Sequence, residues 1–239
     1  MNYALIFAGG VGCRMNSKTK PKQFLEIHGK PVLIHTIEHF EKHSEIDGIC
    51  VVCVKDWLDE AQNLIERFNI KKVKWLVAGG ESALASQYNG LKAIHEKSEP
   101  KSIVLIHDGV RPLVDENLIS KCISSVKEFG SAVTVAPAIE TIVQVDGNNM
   151  ITSTILRSEC QLARAPQCFY LDEIVAAHEK AKISGNYDFI DSTSLMLHLG
   201  FSVHTVEGPS ENIKVTTPSD FYICRALLDA RENSQIYGI

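Results

Sequence analysis

The chain has 239 residues, 45% of them hydrophobic, enough for one large α/β core, so a single domain spanning 1–239 is expected. A net charge of −5 and nine scattered histidines give no broad basic face, which argues against nucleic acid and anionic membrane as partners. No apolar run reaches bilayer length and Met1-Asn2-Tyr3-Ala4 lacks a basic leader, so a cytoplasmic setting is expected.

In chain order, the apolar run at 3–8 predicts a buried first strand that leads directly into Ala8-Gly9-Gly10-Val11-Gly12-Cys13-Arg14-Met15. Glycines at a strand's carboxyl end sit where open α/β sheets bind ligands, and they let peptide N–H groups approach phosphate oxygens. Arg14, Lys18, Lys20 and Lys22 supply countercharge in an otherwise acidic protein. The dinucleotide fingerprint fails because Met15 stands where its last glycine belongs, and no Gly-Lys-Ser/Thr enters a helix as in a P-loop. A long loop over a nucleoside triphosphate remains, beside the plainer reading of a glycine-rich turn with solvated lysines.

A helix is expected over 31–43, where His35-Thr36-Ile37-Glu38-His39 imitates an inverted zinc-protease pattern extended by His43. Without a visible third ligand, it reads as a partly solvated histidine stripe. The run at 48–54 reads as a central strand, so Cys50 and Cys53 point to opposite faces as buried thiols rather than as a redox or zinc pair. Seven cysteines, an odd number without framework spacing, fit reduced thiols. Helical patterns near 56–68, 84–97 and 115–128 alternate with apolar runs at 73–78, 102–107 and 131–136, the rhythm of a doubly wound, mostly parallel sheet. Within His107-Asp108-Gly109-Val110-Arg111-Pro112, at one strand's carboxyl end, Asp108 either binds the magnesium that accompanies a triphosphate or caps the turn.

The rhythm breaks where Thr141-Ile142-Val143-Gln144-Val145 and Met150-Ile151-Thr152-Ser153-Thr154-Ile155 flank Asp146-Gly147-Asn148-Asn149, a hairpin signal. Inserted in a parallel topology at about 139–157, it either lies on the sheet or projects as an arm. Helices follow near 171–184 and 191–199, then a strand near 202–206 and a last helix from about Pro218 to Arg231. Between that strand and that helix, Glu211-Asn212-Ile213-Lys214-Val215-Thr216 sets a lysine among apolar residues, aimed into a cleft or snorkelling to solvent.

The glycine loop through Pro21-Lys22-Gln23, Gly79-Gly80-Glu81, Ser86, His107 to Pro112, Ala165-Pro166-Gln167 and Asn212 to Thr216 occur in the order found in the polyol-phosphate cytidylyltransferases. The chain resembles that family over essentially its whole length. The resemblance implies a Rossmann-like α/β fold, a homodimer that exchanges its β-hairpin arm, and transfer of CMP from CTP to a polyol phosphate. Lys20 to Glu26 and Leu162 to Gln167 look closer to the ribitol 5-phosphate branch, tied to cell-wall polysaccharide. The alternative is the 2-C-methyl-D-erythritol 4-phosphate branch of isoprenoid biosynthesis.

Roles follow from the resemblance position by position. The backbone of Ala8, Gly9, Gly10 and Gly12 would wrap the triphosphate, while Arg14, Lys22 and Lys214 stabilise charge at the reacting phosphates. Gly80, Glu81 and Ser86 match the segment that reads cytosine and ribose, and Asp108 with Gly109 matches the magnesium and sugar contact. Thr141 and Arg157 match arm residues that reach into the neighbouring subunit to hold the polyol phosphate. Glu211 stands where methylerythritol enzymes carry an aspartate that contacts metal or substrate, while Cys13 stands where the family often has an arginine or a threonine and Ala83 where some members carry an arginine.

The implied chemistry needs no nucleophilic triad. A phosphate monoester with a second pKa of about 6 is largely a dianion at neutral pH, so the protein must supply positioning and charge neutralisation. A nicotinamide-dependent reductase on the same sheet is disfavoured by Met15 and by the lack of a ribose-binding acid after a second strand. A non-catalytic nucleotide-binding protein is disfavoured by the joint presence of Arg14, Lys22, Asp108, Arg157 and Lys214.

Overall fold

The computed structural model describes residues 1–9, 20–185 and 187–237. Its elements are β1 (Asn2–Ala8), β2 (Glu26–Ile27), β3 (Lys30–Pro31), α1 (Val32–Lys42), β4 (Gly48–Cys53), α2 (Leu58–Arg67), β5 (Val73–Ala78), α3 (Ala83–His95), β6 (Ile103–Asp108) and α4 (Glu116–Phe129). They continue with β7 (Ser131–Pro137), β8 (Ile142–Val145), β9 (Ile151–Ile155), β10 (Gln161–Tyr170), α5 (Leu171–Ile183), α6 (Ser192–His198), β11 (Thr205–Glu207) and α7 (Pro218–Tyr237).

Seven strands form one sheet in the order β11-β7-β10-β6-β1-β4-β5. β1 pairs in parallel with β4 and β6, β4 with β5, and β11 with β7, whereas β10 runs antiparallel between β6 and β7. β4 is buried along its whole length, which is why it reads as an unbroken apolar run rather than an alternating one. Cys53 joins the core that contains Ile34, Ile37 and Phe40 of α1, while Cys50 joins the opposite core with Leu91 of α3 and Ile174 of α5. Burial raises the Cys50 thiol to about 12 and that of Cys53 to about 11.

Local signals fix the helix ends. Asp115 caps α4 by accepting from Leu118 N at 2.7 Å, and Gly130 ends it at φ 83°, a left-handed conformation that favours glycine. α7 runs to Tyr237, six residues past the expected end, and with Val110, Leu113 and Val215 its Cys224 builds a third small core. No helix among the described residues is long and apolar enough to cross a membrane.

One strand is not announced by the sequence pattern, and one expected boundary shifts. β10 breaks the sequence rules for a strand, because Pro166 removes a donor and Arg164 interrupts the apolar run; the fold accommodates both at an irregularity between Ala163 and Gln167. The last strand begins at Thr205 rather than near 202, where β7 first offers a parallel partner. The histidine stripe is partly solvated at His35 and His39 and buried at His43, and each ring is engaged: His35 donates to Ile27 O at 3.0 Å, His39 to Pro112 O at 3.0 Å and His43 to Glu116 O at 3.2 Å. The expected hairpin is present as β8 and β9, which pair only with each other and project from the sheet.

Burial pulls the His107 imidazole down to about 4 and that of His178 down to about 3. In the unfolded chain each takes up a proton at about pH 6.5. The unfolded state therefore binds more protons below that value, so their contribution to stability is complete above about pH 6.5 and declines as pH falls toward the folded-state values. Thermal unfolding should show Tm dropping between about pH 7 and about pH 5, with a smaller drop in His178→Gln. A drop of equal size in that variant would contradict a buried neutral imidazole at this position.

Candidate active site

The carboxyl ends of β1, β5 and β6 open onto one cleft, the position at which open α/β sheets bind ligands. Its first lobe, about 360 Å³, is lined by Ala8, Gly9, Lys22, Gly80, Glu81 and Ser86. A second lobe of about 200 Å³ adjoins it; Phe7, Ala83, Asp108 and Lys214 line both.

Each residue is placed by a local device. Lys22 opens a single 3-10 turn, Lys22–Phe24, that Gln23 ties to the end of β1 by donating from Nε2 to Ala8 O at 2.8 Å. Phe24 of the same turn stacks on Trp57 with ring centroids 4.9 Å apart. Ser86 is buried, and its hydroxyl accepts from Gly80 N at 2.9 Å and donates to Ser82 O at 2.8 Å. It therefore shapes the loop that presents Gly80 and Glu81. Ser82 caps α3 by accepting from Ala85 N at 3.1 Å, so the positive end of that helix lies at the cleft wall.

Asp108 stands at the junction of the lobes. Its Oδ1 accepts from Lys214 Nζ at 2.6 Å and its Oδ2 from Arg111 Nε at 2.8 Å. Burial pushes this carboxyl up, but the Lys214 and Arg111 charges and hydrogen bonds outweigh it and hold the group well below the usual carboxylate range. Gly109 lines neither lobe. Its N–H donates to Phe7 O at 2.8 Å and its carbonyl accepts from Thr36 Oγ1 at 3.2 Å. A Cβ there would lie 2.9 Å from Leu33 Cδ1 and 3.2 Å from Phe7 O, so only glycine lets the turn pack between β1 and α1.

The Lys214 segment is fastened on both sides. Val215 N donates to Val110 O at 2.9 Å, Arg111 Nη1 to Asn212 O at 2.9 Å, and the buried Asn212 Nδ2 to Ala165 O at 2.7 Å. Arg111 and Asn212 carry this assembly without a role assigned from sequence. The available signal was the spacing, since Arg111 follows Asp108 by one turn and Asn212 precedes Lys214 within one short phrase.

Other expected site residues lie apart. Thr141 and Glu211 are exposed and line neither lobe. Arg157 is exposed at the root of the arm, where it donates to Ile139 O at 3.1 Å and lines a separate hollow with Pro137 and Leu156. Gly10, Gly12 and Arg14, with Cys13, lie outside the described residues.

Two lobes meeting at a carboxylate paired with two cations can hold two anionic substrates side by side. Residues 3–230 match the family described as IspD: 2-C-methyl-D-erythritol 4-phosphate cytidylyltransferase. The chain belongs to this family. It is 53% identical over 239 residues, 100% of both chains, to the ribitol-5-phosphate cytidylyltransferase of Streptococcus agalactiae serotype III (strain NEM316). It is 38% identical over 230 residues, 96% of each, to the 2-C-methyl-D-erythritol 4-phosphate cytidylyltransferase of Syntrophus aciditrophicus (strain SB). The crystal structure of 4-diphosphocytidyl-2C-methyl-D-erythritolsynthase from Anaerococcus prevotii DSM 20548 aligns with a TM-score of 0.81 and 28% identity, covering 95% of this chain and 96% of that one. The mostly parallel, doubly wound sheet read from the sequence is thus this cytidylyltransferase family's fold.

Proposed function

We propose that the protein transfers CMP from CTP to D-ribitol 5-phosphate, forming a CDP-alditol and pyrophosphate. The observation that carries this reading is the Asp108–Lys214 pair, 2.6 Å apart, at the meeting point of two lobes. The choice of acceptor is supported by full-length identity of 53% to a ribitol-5-phosphate cytidylyltransferase.

The nucleotide takes the first lobe, with cytosine over Gly80 and Glu81 and the triphosphate along Ala8 and Gly9, and Arg14 adds countercharge at the reacting phosphates. The acceptor's phosphate dianion attacks the α-phosphorus in line. A new P–O bond forms as the bond from the α-phosphorus to the bridging oxygen breaks, and that electron pair leaves with pyrophosphate. Lys22 and Lys214 stabilise charge that builds on the non-bridging oxygens, and since the fold fixes them beforehand they cost no reorganisation at reaction.

Magnesium is the expected metal. Among the described residues no three His, Cys, Asp or Glu side chains converge. Asp108 lines both lobes, a place suited to an ion that takes one carboxylate and its remaining ligands from phosphates and water. When bound, it would neutralise phosphate charge.

The homodimer is part of the same reading. A two-stranded ribbon is marginally stable alone, yet this arm and its root expose Ile139, Val145, Met150, Ile151 and Leu156. Covered by a second copy, the arm would bring Thr141 and Arg157 to the partner's acceptor lobe. The setting is the cytoplasm, with neither nucleic acid nor membrane as partner, which suits the six described cysteines, all free thiols.

Pyrophosphate release with CTP and magnesium should be fastest with ribitol 5-phosphate. Faster release with 2-C-methyl-D-erythritol 4-phosphate would move the assignment to the other branch. Lys22→Ala should lower turnover at least about a hundredfold with the Tm unchanged; near-normal turnover would remove Lys22 from the mechanism. Sedimentation should give a dimer, and replacing residues 142–155 by a short turn should give an inactive monomer. A fully active monomer would contradict the shared site.

A further inference from the structure

Arg164 lies in β10 at the irregularity between Ala163 and Gln167, and its side chain lines the second lobe but not the first. Its Nε and Nη1 are shut off from solvent and have no hydrogen-bond partner among the described residues. Leaving guanidinium donors dry and unpaired costs free energy, so this arginine does not earn its place by stabilising the fold. Burial and the neighbouring Arg111 charge lower its pKa, while Glu211 opposes them. An arginine remains protonated in any case.

Several of the lobe's other polar side chains are already engaged. Gln167 Nε2 donates to Asp191 Oδ2 at 2.8 Å and its Oε1 accepts from Thr193 N at 3.1 Å. Gln87 Oε1 accepts from Ser192 Oγ at 2.9 Å, and Asp108 is held by Lys214 and Arg111. Arg164 is only half-buried, so a ligand entering this lobe meets the part of its side chain that lines the wall, and settling there lets the enclosed donors find partners.

Position decides which part of that ligand it meets. If the transfer reaction above holds, on which this inference rests, the acceptor's phosphate lies at the Asp108–Lys214 junction and its carbon chain extends into the second lobe. We propose that Arg164 is a specificity-determining residue that donates hydrogen bonds to hydroxyls of the acceptor's polyol chain, favouring a long hydroxylated acceptor over a short one.

The test compares Arg164→Gln and Arg164→Leu with the wild type on ribitol 5-phosphate and on glycerol 3-phosphate, which carries the same phosphate on a shorter chain and serves as acceptor or competitive inhibitor. Both variants should lose roughly 10- to 100-fold in kcat/KM for ribitol 5-phosphate, with the constants for glycerol 3-phosphate and the KM for CTP within about twofold of wild type. The Tm of ligand-free Arg164→Leu should be unchanged or raised, because two enclosed donors without partners have been removed. Equal losses on both compounds would place the arginine on the phosphate, a lowered Tm would make it structural, and undiminished ribitol 5-phosphate turnover would leave it without contact; each overturns the proposal. Wild-type turnover is measured first, and its absence with every polyol phosphate counts against the transfer reading alone. Calorimetric binding of ribitol 5-phosphate with CTP present then judges Arg164, and a Kd unchanged in both variants overturns its role.

Discussion

The Asp108 carboxylate, gripped at 2.6 Å by Lys214 and at 2.8 Å by Arg111, is the interaction on which the cleft depends. A carboxylate largely removed from water is tolerated only when paired, and removing one member of such a group leaves the others uncompensated. Asp108 needs both cations to stay ionised where it is, and the cations need Asp108 to sit close together. The fold braces the arrangement from behind. Through Thr36 and His39, α1 holds the carbonyls of Gly109 and Pro112, and His107, neutral because it is buried, donates to Arg111 O at 3.1 Å.

What the sequence discloses depends on how local the cause is. β1, β4 and β6 are apolar because helices cover both faces, and that burial is written directly into their composition. Asp115 and Gly130 mark the ends of α4 by their own conformational preferences. The arm is legible for the same reason: Asp146 closes its turn by accepting from Asn148 N at 2.8 Å and Met150 N at 3.0 Å. β10 is not legible, since an antiparallel strand containing Arg164 and Pro166 is stabilised by two neighbours distant in sequence and by no preference of its own.

The same division runs through the site. The first lobe is built largely from backbone at strand ends, so its glycines announce it in the sequence. The second lobe is built from side chains on β10 and on the Asn212–Lys214 phrase, and Arg111, Asn212 and Arg164 come together only when those segments meet. The histidines of α1 show the converse. Their metal-like spacing arises because a helix face three to four residues apart can reach successive backbone carbonyls of its neighbours.

If Asp108 and Lys214 act as one device at the junction of the lobes, their contributions to catalysis cannot be separated. The most direct measurement is a double-mutant cycle on kcat/KM for CTP with Asp108→Asn, Lys214→Met and the combined variant. The account predicts that the double variant is no worse than about the poorer single one. Losses that multiply would show two independent residues and contradict it.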